Sequence, residues 1–205
     1  MGYILSIALG YLLGSSSMAY YIGKWKNQDV RQVGTGNLGA SNTAVVFGWG
    51  AAVAVAVHDI GKAFLAVLIA RWLFPGLTHA GAAAGVACVV GHIFPFYLKF
   101  RGGKGMASYF GLILALNWKM ALGLAVALIL ITLITDYISL AAISMSVLAP
   151  AYTALVDKDV AMALILAVAT VVLLYKHREN IVRIAKHQEI GLRSTAKGEN
   201  RIDKK

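Results

Sequence analysis

Apolar residues in this chain fall into long blocks separated by short polar breaks. Residues 3–23 form the first block, long and apolar enough to cross a bilayer once. SSSMA at 15–19 has the small residues of a signal cleavage site. No basic segment precedes it, however, and Tyr20 to Ile22 continue the apolar run, so it reads as a retained anchor. The second block, Ala44 to Leu73, carries Asp59 and Lys62 well inside it. After Pro75 and Gly76 a third runs from about His79 to Tyr97, where Gly81 and Gly85 have the GxxxG spacing that lets helix backbones approach. Beyond Gly105 the chain is apolar almost without interruption to Tyr175, broken at Asn117–Lys119, Thr135–Tyr137 and Asp157–Asp159. The last three pieces, each roughly 17–20 residues, match a span, whereas Met106–Leu116 is short. The pattern predicts an all-α polytopic membrane protein. No internal repeat is visible, which removes a solenoid and weakens an inverted-repeat transporter.

Composition agrees: 59% of the 205 residues are hydrophobic, 14% are charged and mean hydropathy is +0.72, which excludes a soluble globule. A formal charge of +10 would suggest nucleic acid in a soluble chain. Here the cations sit in loops and in the tail beside apolar blocks, so anionic lipid and anionic substrate fit better. The single cysteine, Cys88, lies in an apolar block, and neither a disulfide framework nor a metal-ligand spacing exists. The cations also set the topology. Lys24, Lys26, Arg31, Lys99, Arg101 and Lys104 put the first and third loops on the cytoplasmic side. The nine cations after Tyr175 join them only if an even number of crossings separates Gly105 from Lys176, so the short piece counts as a crossing. Seven spans follow, with the N-terminus outside and the C-terminus cytoplasmic.

Candidate chemistry lies in the polar breaks. In GHIFPFYLKFRGGKG, Gly91 to Gly105, three cations crowd together and Gly102, Gly103 and Gly105 surround Lys104. Glycines let backbone N–H groups approach an anion, a lysine adds a point charge, and a helix resuming at Met106 offers its N-terminus. This is chemistry for phosphate, with a basic loop on lipid headgroups as the plainer alternative. From Lys24 to Asn42, KWKNQDVRQVGTGNLGASN is too long for an ordinary connection and reads as functional. Asp59 and Lys62, three apart on one helix face, bond each other or a buried loop, as structural support or in contact with a substrate, and His58 is as easily a packing residue as a functional one. In YKHRENIVRI the same spacing places His177 and Asn180 together, either as chemistry or on an interfacial amphipathic helix.

Taken in order, GYLLGSSS, VGTGNLGASN, HDIGKA, GHIFPFYLKFRGGKGMAS, DYISLAAIS and YKHRENIVRI resemble the bacterial acyl-phosphate:glycerol-3-phosphate acyltransferases, the PlsY family, over nearly the whole chain. The resemblance implies a seven-span enzyme of the bacterial inner membrane with its active site facing the cytoplasm. With the topology read from charge, the chain forms one domain over residues 1–193, with active-site loops at 24–43, 99–105 and 135–139, a tail helix over 176–193 and a flexible basic tail at 194–205. The implied reaction transfers a fatty acyl group from acyl phosphate to the 1-hydroxyl of glycerol 3-phosphate, giving lysophosphatidic acid and phosphate, without cofactor or metal.

Carried onto this sequence, the resemblance makes Lys104, His177, Asn180 and Thr35 catalytic. It makes Gly36, Asn37, Asn42, Gly102, Gly103, Gly105 and Ser139 substrate-binding, while the spacing and depth of Asp59 and Lys62 assign them to structural support. An acyl phosphate already has a good leaving group, so positioning suffices without a covalent intermediate. The base is His177, since an imidazole ordinarily titrates at about 6.5, or an oxygen of the substrate phosphate. Lys104, Asn180 and loop N–H groups are the donors for the oxyanion. The chain departs from the family with Thr35 for serine, Val45 for arginine, and Ala63 and His187 for glycines. Val45 forfeits a charge-assisted contact unless Lys24, Lys26 or Arg31 reaches in. A divergent paralogue with another acceptor or little activity is therefore the alternative, and a small transporter centred on Asp59 and Lys62 a further one. Expected partners are acyl phosphate, glycerol 3-phosphate, membrane lipid and a soluble acyl-phosphate-producing enzyme, not nucleic acid.

Overall fold

The computed structural model describes residues 1–189, 191 and 193, and among these the only regular structure is helical. The tail expected at 194–205 lies outside the described residues. Two compact units divide the chain, Met1–Trp118 and the remainder from Lys119.

In the first unit, α1 (Gly2–Ser15) and α2 (Met18–Trp25) share the first apolar block. The break between them is made by Ser17, whose Oγ accepts the N–H of Tyr20 at 3.3 Å and caps α2. The second block also divides. The chain turns at Gly48, so α3 (Ala40–Phe47) belongs to the polar loop and α4 (Trp49–Leu73) is the long helix. α5 (Ala80–Ile93) is the buried centre of the unit, and α6 (Met106–Leu116) packs on α4 and α5.

Small residues decide this packing. A Cβ at Gly10 would collide with the Ala84 carbonyl, one at Gly14 with the Cys88 carbonyl, and one at Gly91 with the Tyr11 carbonyl. α1 and α5 therefore meet backbone to backbone, which is how helices gain dispersion energy where lipid removes the hydrophobic drive. Gly81 and Gly85 do something different from the expected backbone approach. They make room for the side chains of Arg71 and Val67 and of Leu112. Two further bonds lock the unit, from Tyr11 Oη to the Phe94 carbonyl and from Arg71 Nη1 to the Ala115 carbonyl, both 2.8 Å.

α7 (Trp118–Thr135) leads into the second unit, which continues with α8 (Ile138–Leu155), α9 (Val160–Lys176) and α10 (Arg178–Ala185). α8 packs on α9, where the buried Thr170 Oγ1 donates to the Ser146 carbonyl at 2.6 Å. The helix expected over 176–193 is shorter and bent. Its axis turns by 59° between α9 and α10, and α10 stops at Ala185 before a turn in which His187 takes a φ of 54°.

Among the described residues five helical segments are long and apolar enough to cross a membrane, six if α9 and α10 count as one bent span, while α6 has 11 residues. Trp25, Trp49, Trp72 and Trp118 are 61–81% exposed and stand at the ends of these segments, as interfacial tryptophans do. The chain is an integral membrane protein by these features.

Candidate active site

The loop between α2 and α3 is built around one side chain. Asn42, fully buried on α3, accepts the Thr35 N–H on Oδ1 at 2.8 Å. Its Nδ2 group donates to the carbonyls of Val30, Asn37 and Val33 at 2.8, 3.0 and 3.1 Å. Gly34 and Gly36 take φ values of 63° and 69°, and a Cβ on Gly34 would strike Asn42 Oδ1. Positive φ is thus needed for the loop to wrap its own anchor. Asn37 Nδ2 then donates to Thr35 Oγ1, and Asn37 Oδ1 accepts from Gly39, both at 2.8 Å. Of the expected site residues, Asn42 spends its amide on the backbone, while Thr35, Gly36 and Asn37 form the surface it shapes.

Arg31 ties this loop to the next one. It pairs with Asp29 through Nε and Nη2, at 2.8 Å for the latter, and Nη1 reaches the Leu98 carbonyl at 3.4 Å. The hydrogen bonds and charge of Arg31 hold the Asp29 carboxyl below its usual range, and the hydrogen bond and charge of Asp29 in turn raise the guanidinium above its own. Arg31 is thereby committed, and Lys26 sits 5.4 Å over the Phe47 ring. Val45 itself is 72% exposed.

The glycine loop enters through strained backbone, since Lys99 and Phe100 both take left-handed φ, 55° and 58°. Gly102 and Gly103 then fold back, their N–H groups donating to the carbonyls of Ile93 and His92 at 3.1 and 3.2 Å. Those two donors are occupied by the fold. What the two glycines supply is close approach, because a Cβ at either would strike His92 or its carbonyl. Lys104 and Gly105 follow at the start of α6, whose first-turn N–H groups have no intrahelical acceptor and carry the positive end of the helix dipole. The geometry thus commits the N–H groups of Gly102 and Gly103 to the fold and leaves Lys104 beside the α6 terminus.

Beneath this loop lies a buried polar cluster. Lys62 Nζ bonds Asp59 Oδ1 at 2.8 Å, the Ser16 carbonyl at 2.7 Å and His92 Nδ1 at 2.9 Å. His58 bridges Asp59, at 3.3 Å, and Ser16 Oγ, at 3.0 Å. Asp59 and Lys62 do pair as their spacing suggests. The helix break at Ser16 supplies the carbonyl that completes the lysine's shell, and His58 is a member of the network. His92 was not visible as a site residue, because only the fold brings α5 against Lys62.

In the second unit, Ser139, Asn180 and Arg183 converge on Glu189. Oε1 accepts from Ser139 Oγ at 2.7 Å and from Asn180 Nδ2 at 2.6 Å, and Oε2 accepts from Arg183 Nε at 2.7 Å. Burial pushes this carboxyl up, but the bonds from Asn180, Ser139 and Arg183 outweigh it and hold it below the usual range. No helical spacing announces Glu189, which reaches Asn180 only through the turn after α10. His177, 3% exposed, stands at the bend where its Nδ1–H donates to the Leu173 carbonyl at 2.9 Å. In the neutral ring that bond places the proton on Nδ1.

A family model described as glycerol-3-phosphate acyltransferase matches residues 4–187. The chain belongs to this family. A glycerol-3-phosphate acyltransferase of Coxiella burnetii is 40% identical over 191 residues, 92% of this chain and 97% of the relative. Another, from Nitrobacter winogradskyi, is 40% identical over 183 residues, 88% and 91% of the two chains. Among solved structures, PlsY, an integral membrane glycerol 3-phosphate acyltransferase in its glycerol 3-phosphate form, superposes with a TM-score of 0.88 at 31% identity. That match covers 96% of this chain and 98% of the other. The lysophosphatidic acid form of PlsY gives a TM-score of 0.84 over 93% of this chain and 95% of that one. The family, the all-helical fold and the membrane acyltransferase class expected from sequence stand.

Proposed function

We propose that this protein transfers a fatty acyl group from acyl phosphate to the 1-hydroxyl of glycerol 3-phosphate, releasing lysophosphatidic acid and phosphate, the first step of phospholipid synthesis. The observation that carries the reading is the match, along almost the whole chain, to an acyltransferase solved with glycerol 3-phosphate and with lysophosphatidic acid. In the proposed assignment Lys104 and the α6 N-terminus bind phosphate, and Thr35, Asn37 and Ser139 orient substrate. His177 Nε2 takes the proton of the attacking hydroxyl, and Asn180, its amide oriented by Glu189, supports the developing oxyanion.

Seven spans, an outer N-terminus and a cytoplasmic C-terminus complete the proposal, in the inner membrane of a bacterium. Support comes from charge. Counting α6 and α9 as crossings brings the loops at 24–43, 99–105 and 135–139 and the segment after Tyr175 to one face. A soluble enzyme that makes acyl phosphate would supply the donor.

The test is transfer of labelled acyl groups from acyl phosphate to glycerol 3-phosphate by purified protein, with Lys104→Ala as control. Loss of a phosphate-binding lysine is expected to cost about 100-fold or more in rate. The exposed Val45 favours a second reading, a paralogue with another acceptor. Turnover by the wild type rejects it, whereas inactivity that Val45→Arg does not relieve supports it.

A further inference from the structure

We propose that His92 is a further phosphate-binding residue of this enzyme, its Nε2–H donating to a substrate phosphate oxygen held at the glycine loop; the inference rests on the acyl-transfer reading above. An ammonium group has three N–H bonds and no lone pair. Lys62 directs its three to Asp59 Oδ1, the Ser16 carbonyl and His92 Nδ1, at 2.8, 2.7 and 2.9 Å. His92 Nδ1 therefore presents its lone pair, and the 3.3 Å approach of Asp59 Oδ1 to the same atom is the longer contact. The one proton of the neutral ring is left on Nε2.

That proton has a defined place and no acceptor. Among the described residues Nε2 makes no hydrogen bond, on a ring only 6% exposed and fixed from behind by Lys62. Nε2 is not one of the fully enclosed unpaired atoms, so a donor held this rigidly keeps an opening through which an acceptor from outside the protein can reach it. Nε2 lies against Gly103, where any side chain would strike the imidazole, and Gly102 and Gly103 are bonded to the carbonyls of Ile93 and His92. The loop is folded onto the edge of the ring that carries the proton, and the next residue is Lys104. A phosphate oxyanion, from glycerol 3-phosphate or from acyl phosphate, would complete the donor.

Two substitutions separate this role from mere support of Lys62. His92→Asn places an amide oxygen near the position of Nδ1, so Lys62 keeps an acceptor while the Nε2 donor is lost. His92→Gln does the reverse, carrying an amide N–H to the position of Nε2. Full-length protein in detergent or lipid is assayed for kcat, for KM of each substrate, for melting temperature, and by calorimetry for binding of glycerol 3-phosphate and inorganic phosphate. The expected result is that His92→Asn melts near the wild type and raises KM for one substrate about tenfold or more, whereas His92→Gln stays within about threefold. The substrate whose KM rises identifies whose phosphate is held. The opposite order, or unchanged KM in both variants, overturns the proposal and leaves His92 serving Lys62 alone. Should His92→Asn fail to fold, His92→Gln decides: ordinary KM with a lowered melting temperature supports the proposal and a raised KM overturns it. If the wild type transfers no acyl group, the acyl-transfer reading fails. Calorimetry then still decides, weaker phosphate binding by His92→Asn supporting the donor and equal binding overturning it.

Discussion

Position 187 takes a φ of 54° with a histidine side chain, a conformation that costs most L-residues roughly 1–2 kcal/mol and glycine nothing. A glycine would take this backbone conformation without strain. His187→Gly is expected to stabilise the fold by about 0.5–1 kcal/mol after the added freedom of the unfolded chain is subtracted. A melting temperature higher by about 2 °C would register it. Glu189, two residues on, is the acid that sets the orientation of Asn180 and Ser139. Its folded-state pKa is lowered, so its contribution to stability is complete above the unfolded carboxyl range near 4.3 and is lost as pH falls through the folded value. Glu189→Gln should therefore cost about 1–3 kcal/mol at neutral pH. In melts run as a function of pH, the gap between wild type and variant should close below about pH 4.

Helices were legible and their interruptions were not. Apolar runs marked every long segment, because lipid requires about twenty such residues. Ser17 and Gly48 look like any other small residue, yet each ends a helix inside an apolar block, and one break is what exposes the Ser16 carbonyl to Lys62. Lys104, His177 and Asn180 are proposed from motif and spacing alone. The roles of His92 and Glu189 depend on contacts with residues 30 and 9 positions away, which no local pattern encodes. The Asp59–Lys62 pair joins three elements, so its removal tests all of them. Lys62→Met strands a buried carboxylate and should cost about 3–5 kcal/mol, whereas Asp59→Leu combined with Lys62→Met should cost less than Lys62→Met alone. Denaturant melts of the two variants give the comparison.

For the whole molecule the number of crossings hinges on α6. With Cys88 replaced by alanine, single cysteines at Lys119, Asn27 and Lys186 report the side each occupies to a membrane-impermeant thiol reagent. Seven spans require labelling at Lys119→Cys in intact cells, and labelling at Asn27→Cys and Lys186→Cys only after permeabilisation. A Lys119→Cys that stays silent until permeabilisation would reduce the count.

The glycine contact between α1 and α5 bears on how the chain is made. α1 leaves the ribosome before its partner α5, which ends at Ile93. At about 5–20 residues per second, α1 waits several seconds before Ala84 and Cys88 are available to fill the notches at Gly10 and Gly14. During that interval its small-residue face meets lipid, and the carbonyl of Ser16 lacks Lys62 until α4 is synthesised. A nascent chain arrested before α5 would carry a helix whose best interface is already built and still empty, a natural substrate for membrane quality control.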